Sequence, residues 1–465
     1  MKNYRKSILL IILVFSLFIS SCGFENEYSE DETVSRPPLN NVDNESRVDF
    51  SEDEPLLDIK GKDYGGKKFV IVTTDGEFWE ATKAETLIGK AVRERNSLVE
   101  KKFNIEIEVK VETAEEIYSG ATSAKSKGTH YADLIIAPAN VQARLMEAGC
   151  LLNINALPYV DHEASYFDKS FADAAQINGK LYLLFGELTQ TEYSAFCVFY
   201  NEDIAKKTGI DPNALYKNGE WTWEAFLEYS EKASEYAENG FVTTSSKDDF
   251  LNVLWATSGN RFFGDCADAP LKIPSNEKGK EILSNIRKIV KSKRFGKAHG
   301  NDAVTSFTEG KSGMLLCRRN AFYSICQSNV DWNAVPMPKM TAESEHYSFV
   351  DGESLAASVP NNIEDSDFVG MVFNALLAST SRVVTQSVEN NELYYYWVDN
   401  DMASAMAETK KYTYIDIAII YAYAVKDIAT VTTENIKTAY DAGIAPFQFY
   451  HSTKRQFELY AAEHF

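Results

Sequence analysis

The alternation of short apolar runs with longer helical patterns constrains the fold of this chain most strongly. Residues 67–74 (KKFVIVTT) and 103–112 (FNIEIEVKVE) have the composition of strands, and residues 132–137 (ADLIIA) form a continuous apolar run. Helical patterns over about 82–102 and 113–125 separate these runs. A strand that is apolar throughout is typical of a sheet covered on both faces. The alternation therefore predicts an α/β fold of mostly parallel sheets flanked by helices.

Length and charge narrow the class of protein further. The chain has 465 residues, which is too long for one ordinary hydrophobic core and sufficient for two lobes. Its formal net charge is −21 and its isoelectric point is about 4.8. So acidic a surface argues against nucleic-acid binding and against a polybasic membrane patch. We expect a monomer that binds a small molecule.

The N-terminus has the pattern of a secretion signal. Lys2, Arg5 and Lys6 precede an apolar run from Ile8 to Ile19, which is short for a membrane span. The run ends in Ile-Ser-Ser-Cys at Cys22, which is similar to a bacterial lipobox. This pattern predicts a lipoprotein signal peptide over residues 1–21 and a lipidated Cys22 on the extracytoplasmic face of the cell membrane. The alternative is an ordinary signal peptide in which Cys22 occurs by chance.

An acidic segment follows the signal. Residues 23–58 hold twelve acidic residues against Arg36 and Arg47, without an apolar period. This composition predicts a disordered tether over residues 22–60, with the folded part beginning near Lys67. Five cysteines remain after Cys22; their odd number and the absence of C-x-x-C argue against a disulfide framework and leave room for one bridge.

The central region combines two extended runs with two helices. The extended runs cover residues 180–185 and 196–200. Asn201 is a suitable N-cap for a short helix that ends at Gly209, and Thr222 is a suitable N-cap for a longer one. We expect Trp221 and Trp223 beside it to pack in the core.

The order of these parts resembles the extracellular solute-binding proteins of ABC importers, in the family 1 branch that includes the maltodextrin-binding type. The matching segments are Gly179-Lys180-Leu181-Tyr182, Tyr200-Asn201, Gly209 to Pro212, and Thr222-Trp223 with Phe226. The resemblance implies a two-lobed, type II periplasmic-binding-protein-like fold that closes on its ligand by a hinge.

Further segments resemble the points where the family's chain passes between lobes. Residues 307–314 (FTEGKSGM) are similar to the pattern F-x-x-G-K-x-A-M, with Gly313 in place of Ala, and imply a return to the first lobe. Residues 354–358 imply a second return, into the far lobe. The expected lobes are therefore 61–188 with 311–350, and 189–310 with 351–465. The expected crossings lie near 185–195, 310–315 and 350–356.

Ligands of two-lobed α/β proteins bind where loops leave the carboxyl ends of strands. The loop after the first strand holds Asp75 and Glu77 as hydrogen-bond acceptors and Trp79 as a stacking face. The alternative for Trp79 is packing against the following helix. Asn140 follows the third strand, and its alternative role is a helix N-cap.

The resemblance adds candidates from the crossing segment and the return strand. Glu187, Gln190 and Tyr193 lie on the segment that lines the family's cleft, and an exposed hinge is the alternative. Arg318 and Arg319 follow the return strand, where one guanidinium is suited to hold a carboxylate or sugar hydroxyls and the other to form a surface ion pair. Trp397 completes the candidate ligand-binding set.

The sequence contains no H-E-x-x-H, G-x-S-x-G, C-x-x-C or EF-hand motif, so it assigns no catalytic residue, cofactor or metal ligand. The resemblance implies a lipid-anchored receptor that captures a small polar solute, with a carbohydrate favoured, and delivers it to the permease subunits of an ABC transporter. Peptides and polyamines stay open as ligands. The alternative functions are a surface enzyme or an adhesin that acts on polysaccharide.

Overall fold

The structure is a computed structural model that describes residues 54–56, 58–80, 87–260, 276–391, 400–443 and 455. The predicted signal peptide, Cys22 and most of the predicted tether lie outside the described residues, as does Trp397. The compact unit that contains all described residues extends from Ser46 to Phe465.

Within the described residues, ten strands form two four-stranded sheets and one short two-stranded sheet. Their bounds are β1 Lys67–Thr73, β2 Ile105–Val111, β3 Leu134–Pro138, β4 Phe196–Asn201, β5 Asn239–Thr243, β6 Ser312–Arg318, β7 Trp332–Pro336, β8 Ser348–Phe349, β9 Leu355–Ser358 and β10 Thr413–Tyr414. The first sheet has the order β2-β1-β3-β9, and the second has the order β5-β6-β4-β7. Each of the two four-stranded sheets lies at the centre of one lobe.

Strand direction differs between the two sheets. In the first sheet β1 runs parallel to β2 and β3, and β9 is antiparallel to β3. In the second sheet β5 and β6 are parallel, whereas β4 lies antiparallel between β6 and β7. The first sheet is mostly parallel as expected, and the second is mixed.

Eighteen α-helices are seen among the described residues. Their bounds are α1 Gly76–Glu80, α2 Leu87–Phe103, α3 Ala114–Lys127, α4 Ala139–Glu147, α5 Lys169–Ala175, α6 Glu202–Thr208, α7 Pro212–Lys217, α8 Trp223–Ala233, α9 Lys247–Thr257, α10 Asn276–Val290, α11 Asn301–Thr308, α12 Phe322–Ile325, α13 Ser366–Ser379, α14 Gln386–Asn391, α15 Asn400–Tyr412, α16 Ile417–Tyr421, α17 Lys426–Val431 and α18 Thr433–Ala442. A π-helical turn, Thr380–Thr385, joins α13 to α14.

The predicted helix caps, helix stop and buried tryptophans of the central region are confirmed. The Asn201 side chain accepts a hydrogen bond from the backbone N–H of Ile204, and Gly209 ends α6 in the left-handed conformation with φ 70°. The Thr222 side chain caps α8. Trp221 and Trp223 are buried, as expected, and their indole N–H groups donate to the carbonyl oxygens of residues 336 and 338.

The extended run at residues 180–185 does not form a strand. Its contacts are isolated bridges: Ile177 pairs with Lys180, and Leu184 exchanges two backbone hydrogen bonds of 2.8 Å with Ala357 of β9. The run is largely buried, so its apolar composition reflects packing. A ladder requires a partner strand over several residues, and the run meets the outer edge of β9 at Leu184 alone.

Strand pairing removes the expected crossing near residues 310–315 and reverses the direction of the expected crossing near residues 350–356. Strand β6, within the segment 311–350 that was expected in the first lobe, pairs with β4 and β5 of the second sheet. Strand β9, expected in the far lobe, pairs with β3 of the first sheet. The chain thus enters the second sheet between β3 and β4 and returns to the first between β7 and β9. A short motif cannot specify which of two sheets will supply a strand's partners.

The departure from the family pattern at Gly313 has a packing reason. A Cβ atom at this position of β6 would lie 2.6 Å from the Cβ of Ala233 and 2.9 Å from the carbonyl oxygen of Gly240. Helix α8 and strand β5 therefore approach β6 too closely for alanine.

The folded part begins before the predicted end of the tether at residue 60. Leu56 and Ile59 are buried. The Asp58 carboxylate accepts hydrogen bonds of 2.5 and 2.7 Å from both terminal nitrogens of Arg382. The hydrogen bond from Arg382 lowers the pKa of Asp58. The described residues between Glu54 and Lys60 are thus anchored beside the π-helical turn, because two apolar side chains of this acidic segment pack in the core.

Among the described residues, one helical stretch, Ser366–Val388, has the length and apolar composition to cross a membrane. Its most apolar part has a mean hydropathy of 1.3 and is 78% buried within the protein. Helix α13 within it packs against α2, which is the behaviour of a core helix in the first lobe.

Candidate functional site

The loops that leave the two large sheets bring several predicted residues to the boundary between the lobes. In the first sheet Asn140 follows β3, and in the second Arg318 ends β6 beside the start of β4 at Phe196. Residues 350–354 connect the second lobe with β9. This boundary is the place where two-lobed proteins hold a ligand.

Asn140 contacts this connection. Its Nδ2 donates to Glu353 Oε1 at 2.6 Å, and its backbone N–H donates to the carbonyl oxygen of Gly352 at 2.8 Å. Asn140 is the second residue of α4, whose N-cap position is Pro138, so the alternative of an N-cap is wrong. The asparagine instead joins the first lobe to the connection.

Arg318 holds the same connection from the second lobe. Its Nη2 lies 2.9 and 2.7 Å from the two carboxylate oxygens of Asp351, and its Nε lies 3.2 Å from Oδ1. Asp351 is 7% exposed and also accepts from the backbone N–H of Glu353. This bidentate pair fixes the guanidinium on a protein carboxylate, so Arg318 does not present the free clamp that the sequence analysis considered.

Tyr423 and Asp249 complete the group and, like Asp351 and Glu353, were not predicted from the sequence. The Tyr423 hydroxyl donates to Asp249 Oδ1 at 3.1 Å. The Tyr423 ring also covers Gly352, because a Cβ atom there would lie 2.4 Å from the ring. Partial burial raises the pKa of Tyr423, and the carboxylates of Asp249, Asp351 and Glu353 raise it further. The hydroxyl therefore stays protonated and acts as a donor.

These residues form one connected set, which we call the interlobe cluster. Its members are Asn140, Asp249, Arg318, Asp351, Glu353 and Tyr423. They come from the first lobe, the second lobe and the connection between them. Tyr423 is 41% exposed, so a solute can reach the cluster. Oxygen acceptors with a phenol face are suited to bind hydroxyl or ammonium groups.

Arg319 and Tyr193 form a second contact at the same end of the second sheet. Arg319 and Tyr193 are both buried, and the guanidinium carbon lies 4.7 Å from the ring centroid. The backbone N–H of Arg319 donates to Ala195 just before β4. This cation–π contact attaches the end of β6 to the crossing segment.

Glu187 and Gln190 lie on the same segment, before β4. It consists of two short 3₁₀ turns, Glu187–Thr189 and Thr191–Ser194. Gln190 joins them in a left-handed conformation with φ 51°, and its N–H donates to the carbonyl oxygen of Glu187. Both side chains are half-buried. The crossing is therefore a compact structure, in contrast to the alternative of an exposed hinge.

Trp79 is entirely buried, and the expected open stacking face is absent. The Arg95 guanidinium carbon lies 4.3 Å from the Trp79 ring centroid, and the Asn96 side chain donates to the Trp79 carbonyl oxygen. Both contacts come from α2, which is the packing alternative of the sequence analysis. The large ring has enough apolar surface to be drawn into the core between α1 and α2.

Arg95 is a buried cation that the sequence analysis did not identify. Its exposed fraction is zero, and this burial lowers its pKa to about 9, although the nearby Asp75 acts in the opposite direction. The Asp75 side chain accepts from the backbone N–H of Phe78 at the start of α1. Glu77 lies within α1. Asp75 thus has a local capping role, and Arg95 depends on the face of Trp79.

A separate polar cavity of about 780 Å³ lies in the second lobe. Tyr216, His346, Glu408 and Tyr412 are among its lining residues, and burial lowers the pKa of His346. None of the described candidate residues from the sequence lines it. No group of three or more potential metal ligands is found within the described parts of the chain.

The chain has two α/β lobes, and polar groups from both lobes meet at their boundary. This is the architecture of a two-lobed binding protein. The family model described as bacterial extracellular solute-binding protein matches residues 98–388. The chain therefore belongs to the family of bacterial extracellular solute-binding proteins, and an extracytoplasmic location follows from that family. No curated protein matches the chain by sequence.

Solved structures share the fold. The GacH receptor of Streptomyces glaucescens GLA.O, whose structures are unliganded or in complex with acarbose and an acarbose homolog, is 14% identical with a TM-score of 0.57. The similarity covers 84% of this chain and 97% of that chain. The ABC substrate-binding protein Lmo0181 from Listeria monocytogenes, in complex with cycloalternan, is 15% identical with a TM-score of 0.53, covering 84% and 98%. At these identities the similarity is one of fold.

Proposed function

We propose that this chain is a lipid-anchored extracytoplasmic receptor that captures a carbohydrate and delivers it to the permease subunits of an ABC transporter. The observation that carries the proposal is the interlobe cluster, in which polar groups of both lobes meet in a protein of the solute-binding family. The similar folds of GacH and Lmo0181, in complex with acarbose and cycloalternan respectively, favour an oligosaccharide as the ligand.

The proposed lobe boundaries follow the sheets. Residues 54–185 and 355–391 make the first lobe, and residues 196–349 and 400–443 make the second. The segments 186–195 and 350–354 connect them. Closure about these connections would bring Asn140 and Tyr423 against a bound sugar, since they approach the connection from different lobes.

A thermal-shift screen against neutral oligosaccharides tests the ligand class. A bound sugar stabilises the folded state by about 2.7 kcal/mol when its concentration is about a hundred times its dissociation constant. We expect at least one oligosaccharide to raise the melting temperature and to be recovered unchanged by mass spectrometry. Recovery of cleaved sugar would indicate an enzyme, and the absence of any shift across the library would contradict carbohydrate capture.

The Tyr423→Phe variant tests whether the interlobe cluster holds that sugar. Removing only the hydroxyl should weaken binding about fivefold, which corresponds to about 1 kcal/mol for one hydrogen bond. Isothermal titration calorimetry with the sugar found in the screen measures this change. Tyr236→Phe, at an exposed tyrosine of the segment after α8, is the matched control and should bind normally. Equal affinity of both variants would remove Tyr423 from the site.

The anchor is tested by replacing Cys22 with Ala. Because the proposed lipid is attached to this thiol, the variant should leave the membrane fraction or keep its unprocessed mass. Cell fractionation and intact-mass measurement give the result, with Cys150→Ala as a matched cysteine control. If Cys22→Ala remains in the membrane fraction with the mass expected for a processed, lipidated chain, the anchor proposal is wrong.

A further inference from the structure

Two cysteines face each other across the centre of the second sheet. In the antiparallel pairing of β4 with β6, Cys197 lies directly opposite Cys317. Both strands are internal, because β5 and β7 flank them. Both thiols are free in this structure, and their residues are 0% and 1% exposed. Directly opposite residues of adjacent strands project from the same face of a sheet.

The Cα spacing at this pair is compatible with a covalent bond between the side chains. The N–H of Arg319 donates to the carbonyl oxygen of Ala195 at 2.9 Å, which makes 195 and 319 a hydrogen-bonded pair of the ladder. Such pairs alternate, so the pair two residues along, Cys197 and Cys317, is of the same kind. Cα atoms of hydrogen-bonded pairs are about 5.5 Å apart. That Cα spacing lies within the range of about 4.4–6.8 Å found in disulfides. The Cβ atoms of directly opposite residues are about 4.5–5.5 Å apart and are wider in hydrogen-bonded pairs, so the bond requires the two Cβ atoms to approach to about 3.5–4.5 Å.

We infer that Cys197 and Cys317 are a modification site, at which a disulfide bond joins the two central strands of the second lobe. The bond would close a loop of residues 198–316 close to Arg318 and Arg319. In the reaction each thiol loses one hydrogen, a bond forms between the two Sγ atoms, and a small-molecule disulfide is reduced to two thiols. An extracytoplasmic location supplies oxidising conditions of the kind in which disulfides persist.

The timing of this reaction follows from burial. Burial raises the pKa of Cys197 to about 12, and it raises the pKa of Cys317 well above its ordinary value. The thiolate is the attacking species in disulfide exchange, so the folded protein is slow to react. The bond would therefore form while the chain folds, when both thiols are accessible. Once formed, it would be shielded from reductants.

The other described cysteines are not arranged in this way. Cys150 follows α4 in the first lobe, and Cys326 follows α12 in the second. Neither lies opposite another cysteine in the strand ladders of the described residues. They therefore serve as internal controls for non-specific oxidation.

Peptide mapping of the full chain tests this inference. Cells that produce the protein are lysed in denaturant with an alkylating reagent, and the non-reduced digest is analysed by mass spectrometry. We expect a linked species of the Cys197 and Cys317 peptides that is two hydrogen atoms lighter than the separate thiol peptides together. The same species should form when reduced chain refolds in mixed oxidised and reduced glutathione.

Variants make the result specific. Cys150→Ala should leave the linked species unchanged, whereas Cys197→Ala should leave the Cys317 peptide alkylated. Wild-type protein refolded with dithiothreitol should melt at a lower temperature than the oxidised form. The inference is wrong if the Cys197 and Cys317 peptides are both alkylated after oxidative refolding, or if either is linked to Cys150 or Cys326.

Discussion

Replacing Trp79 with Ala should lower the free energy of unfolding of the unliganded protein by about 3–5 kcal/mol. The ring is entirely buried between α1 and α2. Its loss leaves a cavity and also removes the face that covers the Arg95 guanidinium at 4.3 Å. Arg95 has no exposed surface, so its buried charge would lose one of its compensating contacts, which also include hydrogen bonds to Asn96 and Thr380.

Chemical denaturation followed by circular dichroism measures this loss. Tyr236→Ala is the control, because Tyr236 is 49% exposed and its removal should change stability by no more than about 0.5 kcal/mol. Trp79→Phe should recover part of the loss, since phenylalanine keeps an aromatic face toward Arg95. A Trp79→Ala protein with unchanged unliganded stability and weakened sugar binding would instead support the stacking role predicted from the sequence.

Replacing Arg318 with Ala should cost about 3 kcal/mol of stability. The substitution leaves the Asp351 carboxylate, which is 7% exposed, without its bidentate partner. Breaking a buried ion pair from one side costs about 3–5 kcal/mol, and the lower end applies because the Arg318 side chain is 30% exposed. The connection between the second lobe and β9 should loosen as well.

Denaturation of a matched set of variants separates the effect of burial on stability from the effect of charge. Arg144→Ala breaks the ion pair with Glu115, whose side chain is 75% exposed, and should cost less than about 1 kcal/mol. The double variant Arg318→Met with Asp351→Leu removes both charges and should be more stable than Arg318→Ala alone. If Arg318→Ala and Arg144→Ala lose equal stability, the buried pair does not hold the connection.

Only part of the candidate site could be predicted from residue patterns. Asn140 was predicted from its position after a strand, and Arg318 and Tyr193 were predicted from the family resemblance. In the structure all three lie near the segments that connect the two large sheets. Asp249 and Tyr423, which belong to the same interlobe cluster, had no signal, because they are distant in the chain and lie on segments without a motif. The pairing of Arg318 with Asp351 could not be predicted from the sequence either, since any of many acidic residues was a suitable partner.

The sequence by itself determined the local structure and the family. Capping at Asn201 and Thr222, the stop at Gly209 and the strand periodicities depend on residues only a few positions apart, so they can be predicted from the chain alone. Tertiary structure decided that β6 joins the second sheet and β9 the first, and that the Trp79 ring faces the core. These outcomes depend on backbone partners and packed side chains from distant segments, and a local pattern carries no information about which of these will be near.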